Sequence, residues 1–206
     1  MSEKLIHGHA LFRERYFNKK LIRQLAAEGQ KPWALYIGCS DSRVVPELLT
    51  SSGFGEIFVL RNIANFVPQK AHTDASVGAA IEYAVRHLKV PDIVVCGHYG
   101  CGGVKAAVDR LKGLERDTEL TEWLQGVLPA VEQARKHGHQ GEALWRAAVE
   151  ENVLDALANL ITFDAVSEAL DAGKLAIHGW VYDLAHGRVR VFDAEKDAFV
   201  DPIGGG

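Results

Sequence analysis

Apolar positions in this chain follow two periods that take turns. From about residue 9 to 27, Leu11, Tyr16, Leu21, Ile22 and Leu25 recur at roughly helical spacing between polar residues, which predicts an amphipathic helix. Pro32 ends that segment. The run "WALYIGC" (33–39) is short, apolar and closed by a glycine and a cysteine, as a buried strand would be, and "EIFVLRN" (56–62) reads the same way. Helical period returns in "SVGAAIEYAVRHL" (76–88), with Pro91 behind it. "DIVVCG" (92–97) predicts a third strand and about 102–113 a helix. Further helices are expected over 119–137 and 141–161; in the latter Val153, Leu154, Leu157, Leu160 and Ile161 share one face. "KLAIHGWVYDL" (174–184) predicts a fourth strand, and 186–201 a terminal hairpin turning near Glu195 to Asp197.

Strands alternating with helices predict an α/β fold: a mostly parallel central β-sheet flanked by α-helices, with an N-terminal helical arm (1–30) and a single domain over 31–206 that ends in the hairpin. Ligands of such sheets bind beyond the carboxyl ends of the strands, where Cys39 and His98 both fall. A hydrophobic share of 48% over 206 residues suffices for a core without staples. The net charge of −4 gives no reason to expect nucleic acid or an anionic membrane surface. No long apolar span is present and the N-terminal residues are charged throughout, so the expected location is cytoplasmic. Three cysteines make a disulfide framework unattractive and leave metal or thiol chemistry open.

The stretch "VVCGHYGCGGVKAA" (94–107) runs from strand through a glycine-rich turn into a helix, as phosphate loops do. Its glycines fit neither G-x-G-x-x-G nor the Gly-Lys-Ser/Thr ending of a P-loop, so the nucleotide reading fails on spacing. The turn does carry His98 and Cys101, and "CSDSR" (39–43) adds Cys39, Asp41 and Arg43. Two thiolates and an imidazole suit zinc and leave one tetrahedral position open, as catalytic sites do. Asp41 either fills that position or pairs with Arg43 beside it. Cys96, inside a strand, reads as a small hydrophobe. The pairs His7/His9 and His137/His139 read as solvated helix ends.

With these motifs the sequence resembles a β-class carbonic anhydrase, whose C-x-D-x-R and H-x-x-C stand here as "CSDSR" and "HYGC". The likeness extends over "RNIANFVP" (61–68), "GAAIEYAV" (78–85), "ENVLDALANL" (151–160) and "HGWVYDL" (178–184). The segment from Arg61 to Tyr83 looks like the plant-type branch. The resemblance implies reversible hydration of carbon dioxide to bicarbonate by hydroxide formed at one Zn2+ per subunit. Cys39, His98 and Cys101 match the zinc ligands. Asp41 matches the aspartate that either ligates zinc in a closed state or pairs with Arg43 in the active one. Gln30, Phe58, Tyr83 and the Gly102 N–H match substrate-pocket positions. Family members are homodimers or multiples of dimers, with the arm on the neighbouring subunit and the pocket at the interface. Some relatives have an inhibitory bicarbonate site of Trp, Arg and Tyr; here Arg61 and Tyr182 stand at two positions and Tyr36 replaces the Trp, a departure that weighs against it. Hydrolysis of carbon disulfide or carbonyl sulfide on the same zinc motifs is the competing expectation.

Overall fold

The computed structural model describes residues 2–114 and 118–202. Two helices, Ser2–Arg15 (α1) and Lys19–Glu28 (α2), form the arm. The sequence predicts one helix over 9–27; the chain breaks it because Asn18 adopts extended backbone and its side chain caps α2 by accepting from Leu21 N–H at 3.1 Å. Neither arm helix has a buried residue.

The strands are Ala34–Cys39 (β1), Ile57–Asn62 (β2), Asp92–His98 (β3), Ala176–Asp183 (β4), Arg188–Asp193 (β5) and Ala198–Val200 (β6). They lie in the order β2-β1-β3-β4-β5-β6, parallel from β2 to β4 and antiparallel through β5 and β6. The expected hairpin is thus an extension of the main sheet. Asp193 shapes its turn by accepting from the N–H groups of Glu195 and Lys196.

Between the strands run Pro46–Leu49 (α3), Ala75–Glu82 (α4), Gly102–Val108 (α5), Thr118–Gln125 (α6), Leu128–Lys136 (α7), Gly141–Leu160 (α8) and Asp164–Asp171 (α9). The expected helix over 76–88 loses α geometry at Tyr83, where a π-helical turn, Tyr83–Leu88, takes over. The helix expected to reach 113 stops at Val108, since Arg110 and Leu111 turn left-handed. The segment 119–137 is two helices, with Pro129 in the first turn of the second. Helix α9 had no counterpart in the sequence reading.

Side chains of β1 and β3 alternate between two buried faces. Leu35, Ile37, Cys39, Ile93 and Val95 face the main core under the helices. Tyr36, Val94 and Cys96 form a thinner cluster on the other side with Val59, Trp180 and Tyr182 around it. Cys96 is a core residue there, and burial pushes its thiol up to about 12. Helix α8 packs directly on the sheet because Gly97 leaves room: a Cβ there would lie 2.8 Å from Val153 Cγ2. Its buried face differs from the expected one. Val149, Asn152, Val153, Ala156 and Leu160 are buried, Leu154 and Leu157 are half-buried, and Ile161 is half exposed.

Candidate metal centre

The parallel register carries two separate sequence motifs to one edge. Gly38 on β1 is opposite Cys96 on β3, so Cys39 and His98, the last residues of their strands, lie at the same carboxyl end. The turn Tyr99–Gly100, with Gly100 left-handed at φ 76°, then brings Cys101 back to the head of α5. Cys39, His98 and Cys101 are all buried, and their ligand atoms lie within 4.8 Å of one another.

This donor set fits a tetrahedral cation. The two sulfurs are 3.9 Å apart. Zn–S bonds at a tetrahedral angle require roughly 3.8 Å. His98 Nδ1 is 3.1 Å from the Tyr99 carbonyl, which can only accept, so Nδ1 carries the proton and Nε2 presents its lone pair. Nε2 is fully buried and has no partner. A buried acceptor facing two thiols is what a metal would satisfy. The thiols themselves split. Cys39 is pulled down, chiefly by the hydrogen bond from Cys101, with the N–H groups of Asp41 and Ala64 assisting. Cys101 is pushed up by the same bond and by burial. A cation in place of the shared proton takes both as thiolates.

Asp41 stands beside this triad and is held by Arg43. Arg43 Nε donates to Asp41 Oδ1 at 2.9 Å, Nη2 to Oδ2 at 2.6 Å, and the Arg43 backbone N–H to Oδ1 at 2.9 Å. These bonds hold the Asp41 carboxyl well below the usual carboxylate range. The pairing arises in the turn that follows Cys39. Asp41 Oδ2 still comes within 3.7 Å of His98 Nε2. Arg43 Nη2 also reaches the Gly100 carbonyl at 3.2 Å, linking the two motif loops. Gly102 opens α5 beside Cys101, and its Cα faces open space.

The other expected pocket residues lie elsewhere. Phe58 is opposite Leu35, four residues before the Cys39 level, which is about 13 Å along the strand. Tyr83 lies beside it, the two rings tilted and their centroids 5.8 Å apart. Gln30 is exposed between α2 and the amino end of β1. One chain therefore does not bring Gln30, Phe58 and Tyr83 to its own Cys–His–Cys group.

Several supporting residues escaped the sequence reading. Arg61 donates to the carbonyls of Cys39 (2.9 Å) and Asp41 (2.6 Å) and fixes the backbone of the first motif. Tyr36 turns its hydroxyl into the thin buried cluster beside Cys96. Trp145 donates from Nε1 to the Cys101 carbonyl at 3.0 Å, and Asn152 to that of Ala64 at 2.8 Å. All of these bonds reach backbone carbonyls across 20 or more residues of sequence, and no local pattern announces them.

The family model described as carbonic anhydrase matches residues 34–189. A carbonic anhydrase of Pseudomonas aeruginosa is 42% identical over 198 residues, covering 95% of this chain and 90% of that protein. Among solved structures, the β-carbonic anhydrase CcaA superposes with a TM-score of 0.92 at 38% identity, covering 98% of this chain and 99% of its own. A tetrameric β-carbonic anhydrase of the ascomycete Sordaria macrospora gives 0.74 at 32% identity, with 92% of each chain covered.

Proposed function

The chain belongs to the β-class carbonic anhydrases, which are carbonate dehydratases, and from that premise we propose that it interconverts carbon dioxide and bicarbonate at one zinc ion held by Cys39, His98 and Cys101. The observation that carries the proposal is the orphaned, buried His98 Nε2 facing two thiols at tetrahedral spacing while Arg43 keeps Asp41 aside. Zinc bound there supplies a Lewis acid that lets water ionise at accessible pH. The chain's own residues do the rest. Asp41, ionised and clamped, accepts a hydrogen bond from the nucleophile and aims its lone pair. Gly102 N–H and Gln30 steady the oxygen that gains charge. Phe58 and Tyr83 provide apolar walls for a non-polar gas.

These last contacts require a second subunit, because Gln30, Phe58 and Tyr83 lie near the opposite end of the sheet from their own metal ligands. A homodimer, or a multiple of dimers, is therefore the assembly we assign. The arm supports it: Leu5, Ile6 and Tyr16 are each about two-thirds exposed or more. Within the family, the segment from Arg61 to Tyr83 supports the plant-type branch. No helix among the described residues is long and apolar enough to cross a membrane. The three unpaired, buried cysteines support a reducing, cytoplasmic setting.

Two thiolates and a neutral imidazole cancel the charge of Zn2+, so this site is a weaker Lewis acid than one built from three imidazoles. Hydration activity is expected to rise from about pH 6.5 toward 9, followed by stopped-flow with zinc measured on the same preparation. Asp41 stays ionised throughout that range and contributes nothing to the rise. About one zinc per chain with an alkaline rise supports the open site. Full zinc with no hydration at any pH overturns the assignment and directs attention to carbon disulfide.

Arg43→Ala is expected to release Asp41 onto the metal and suppress activity at unchanged zinc content. X-ray absorption at the zinc edge would then show an added protein oxygen in place of water. An unchanged ligand set contradicts the clamp.

A further inference from the structure

Tyr99 sits between the ligands His98 and Cys101, and the mechanism gives it no role. Its side chain is 5% exposed and fixed at several points. The phenol donates to Glu150 Oε1. Arg190 Nη1 donates to the same phenol oxygen at 3.0 Å and to Glu150 Oε1 at 3.1 Å. The Arg146 guanidinium lies 3.6 Å over the ring. The Tyr99 backbone N–H donates to the Tyr182 carbonyl at 3.0 Å. What this immobilises is the Tyr99 carbonyl, the acceptor of His98 Nδ1–H. The next residue is the left-handed Gly100, whose own backbone freedom restrains that peptide plane least.

One helix face supplies most of the clamp. On α8, Trp145 holds the Cys101 carbonyl, Arg146 covers Tyr99, Val149 and Val153 seat Gly97, and Glu150 takes the phenol. Arg190 ties in the distal hairpin, because its other nitrogen donates to the Phe199 carbonyl. We infer that Tyr99, Glu150 and Arg190 are positioning residues that brace the metal loop, fixing the tautomer and aim of His98 from outside the ligand set. The inference deepens the zinc reading and rests on it. Partners one bond removed from a metal ligand commonly change metal affinity about 10- to 100-fold.

The test compares chelator-driven zinc release and visible spectra of the cobalt(II)-substituted enzyme. Tyr99→Phe and Glu150→Ala are expected to release zinc about 10-fold faster and to shift the cobalt ligand-field bands. Glu150→Gln keeps an acceptor oxygen for the phenol and is expected to restore most of the wild-type behaviour. Leu157→Ala serves as the stability control: it lies on α8 against Gly179, away from the loop, and should lower Tm without moving either metal readout. Wild-type release rates and spectra in both Tyr99→Phe and Glu150→Ala overturn the brace alone. So does a Leu157→Ala protein whose metal readouts change as much at equal loss of Tm. Wild-type protein that holds no zinc overturns the metal reading and the brace with it.

Discussion

The Asp41→Asn protein is expected to bind zinc in full and to hydrate carbon dioxide about 100-fold or more slowly. The substitution changes one oxygen to nitrogen and leaves Cys39, His98 and Cys101 untouched. Asn keeps an oxygen for the Arg43 backbone N–H, now 2.9 Å from Asp41 Oδ1. It loses the second acceptor, the one 2.6 Å from Arg43 Nη2, and places an N–H₂ group there instead. The clamp weakens, and the acceptor that orients the nucleophile is gone. The pH sign is defined. Asp41 is held below its unfolded value, so the stabilisation from the pair is fully present above the ordinary carboxylate range near 4 and is lost only as pH falls through the lowered folded value. Across the neutral and alkaline range the deficit is therefore constant. Elemental zinc analysis with stopped-flow hydration decides the matter; full activity in the Asp41→Asn protein would remove Asp41 from the mechanism.

Cys101→Ala should lose the metal itself. Loss of a direct ligand costs more than the 10- to 100-fold typical of supporting residues, so zinc is expected to fall well below one per chain after dialysis and hydration to reach the buffer background. The fold should persist, because Cys101 is one small member of a core that spans both sheet and helices. Unchanged far-ultraviolet circular dichroism together with absent zinc would show this. A Cys101→Ala chain that keeps stoichiometric zinc would exclude Cys101 as a ligand.

The parts of this molecule that local chemistry dictates were legible in the sequence. The runs 33–39, 56–62 and 92–97 became β1, β2 and β3 within a residue, since short apolar runs closed by glycine or polar residues have few alternatives. The same runs placed Cys39 and His98 at strand ends, and the parallel register brought them together. What stayed hidden depends on distant partners. Asn152 occupies a buried position on α8 that hydrophobic patterning assigns to an apolar residue, because its amide serves the Ala64 carbonyl 88 residues away. Arg61, Tyr99 and Trp145 belong with it. The break at Asn18 was local and readable as an N-cap; the helical period of the residues on either side concealed it.

The two margins of the sheet differ in how they meet another strand. The β6 side is three residues long and runs into Asp201 and Pro202, a charge and a residue without an N–H, so further pairing is blocked. The β2 side is six residues long and carries its one charge late, at Arg61. Ile57, Phe58, Val59 and Leu60 form a run of β-prone residues whose free backbone groups face outward. The arm is rooted at the entry to this strand: Phe12 packs edge-on to Phe54 at 5.9 Å, and Leu25 covers Gly55. Beyond any part in assembly, the arm thus packs at the entry to the strand from which edge-to-edge aggregation would begin.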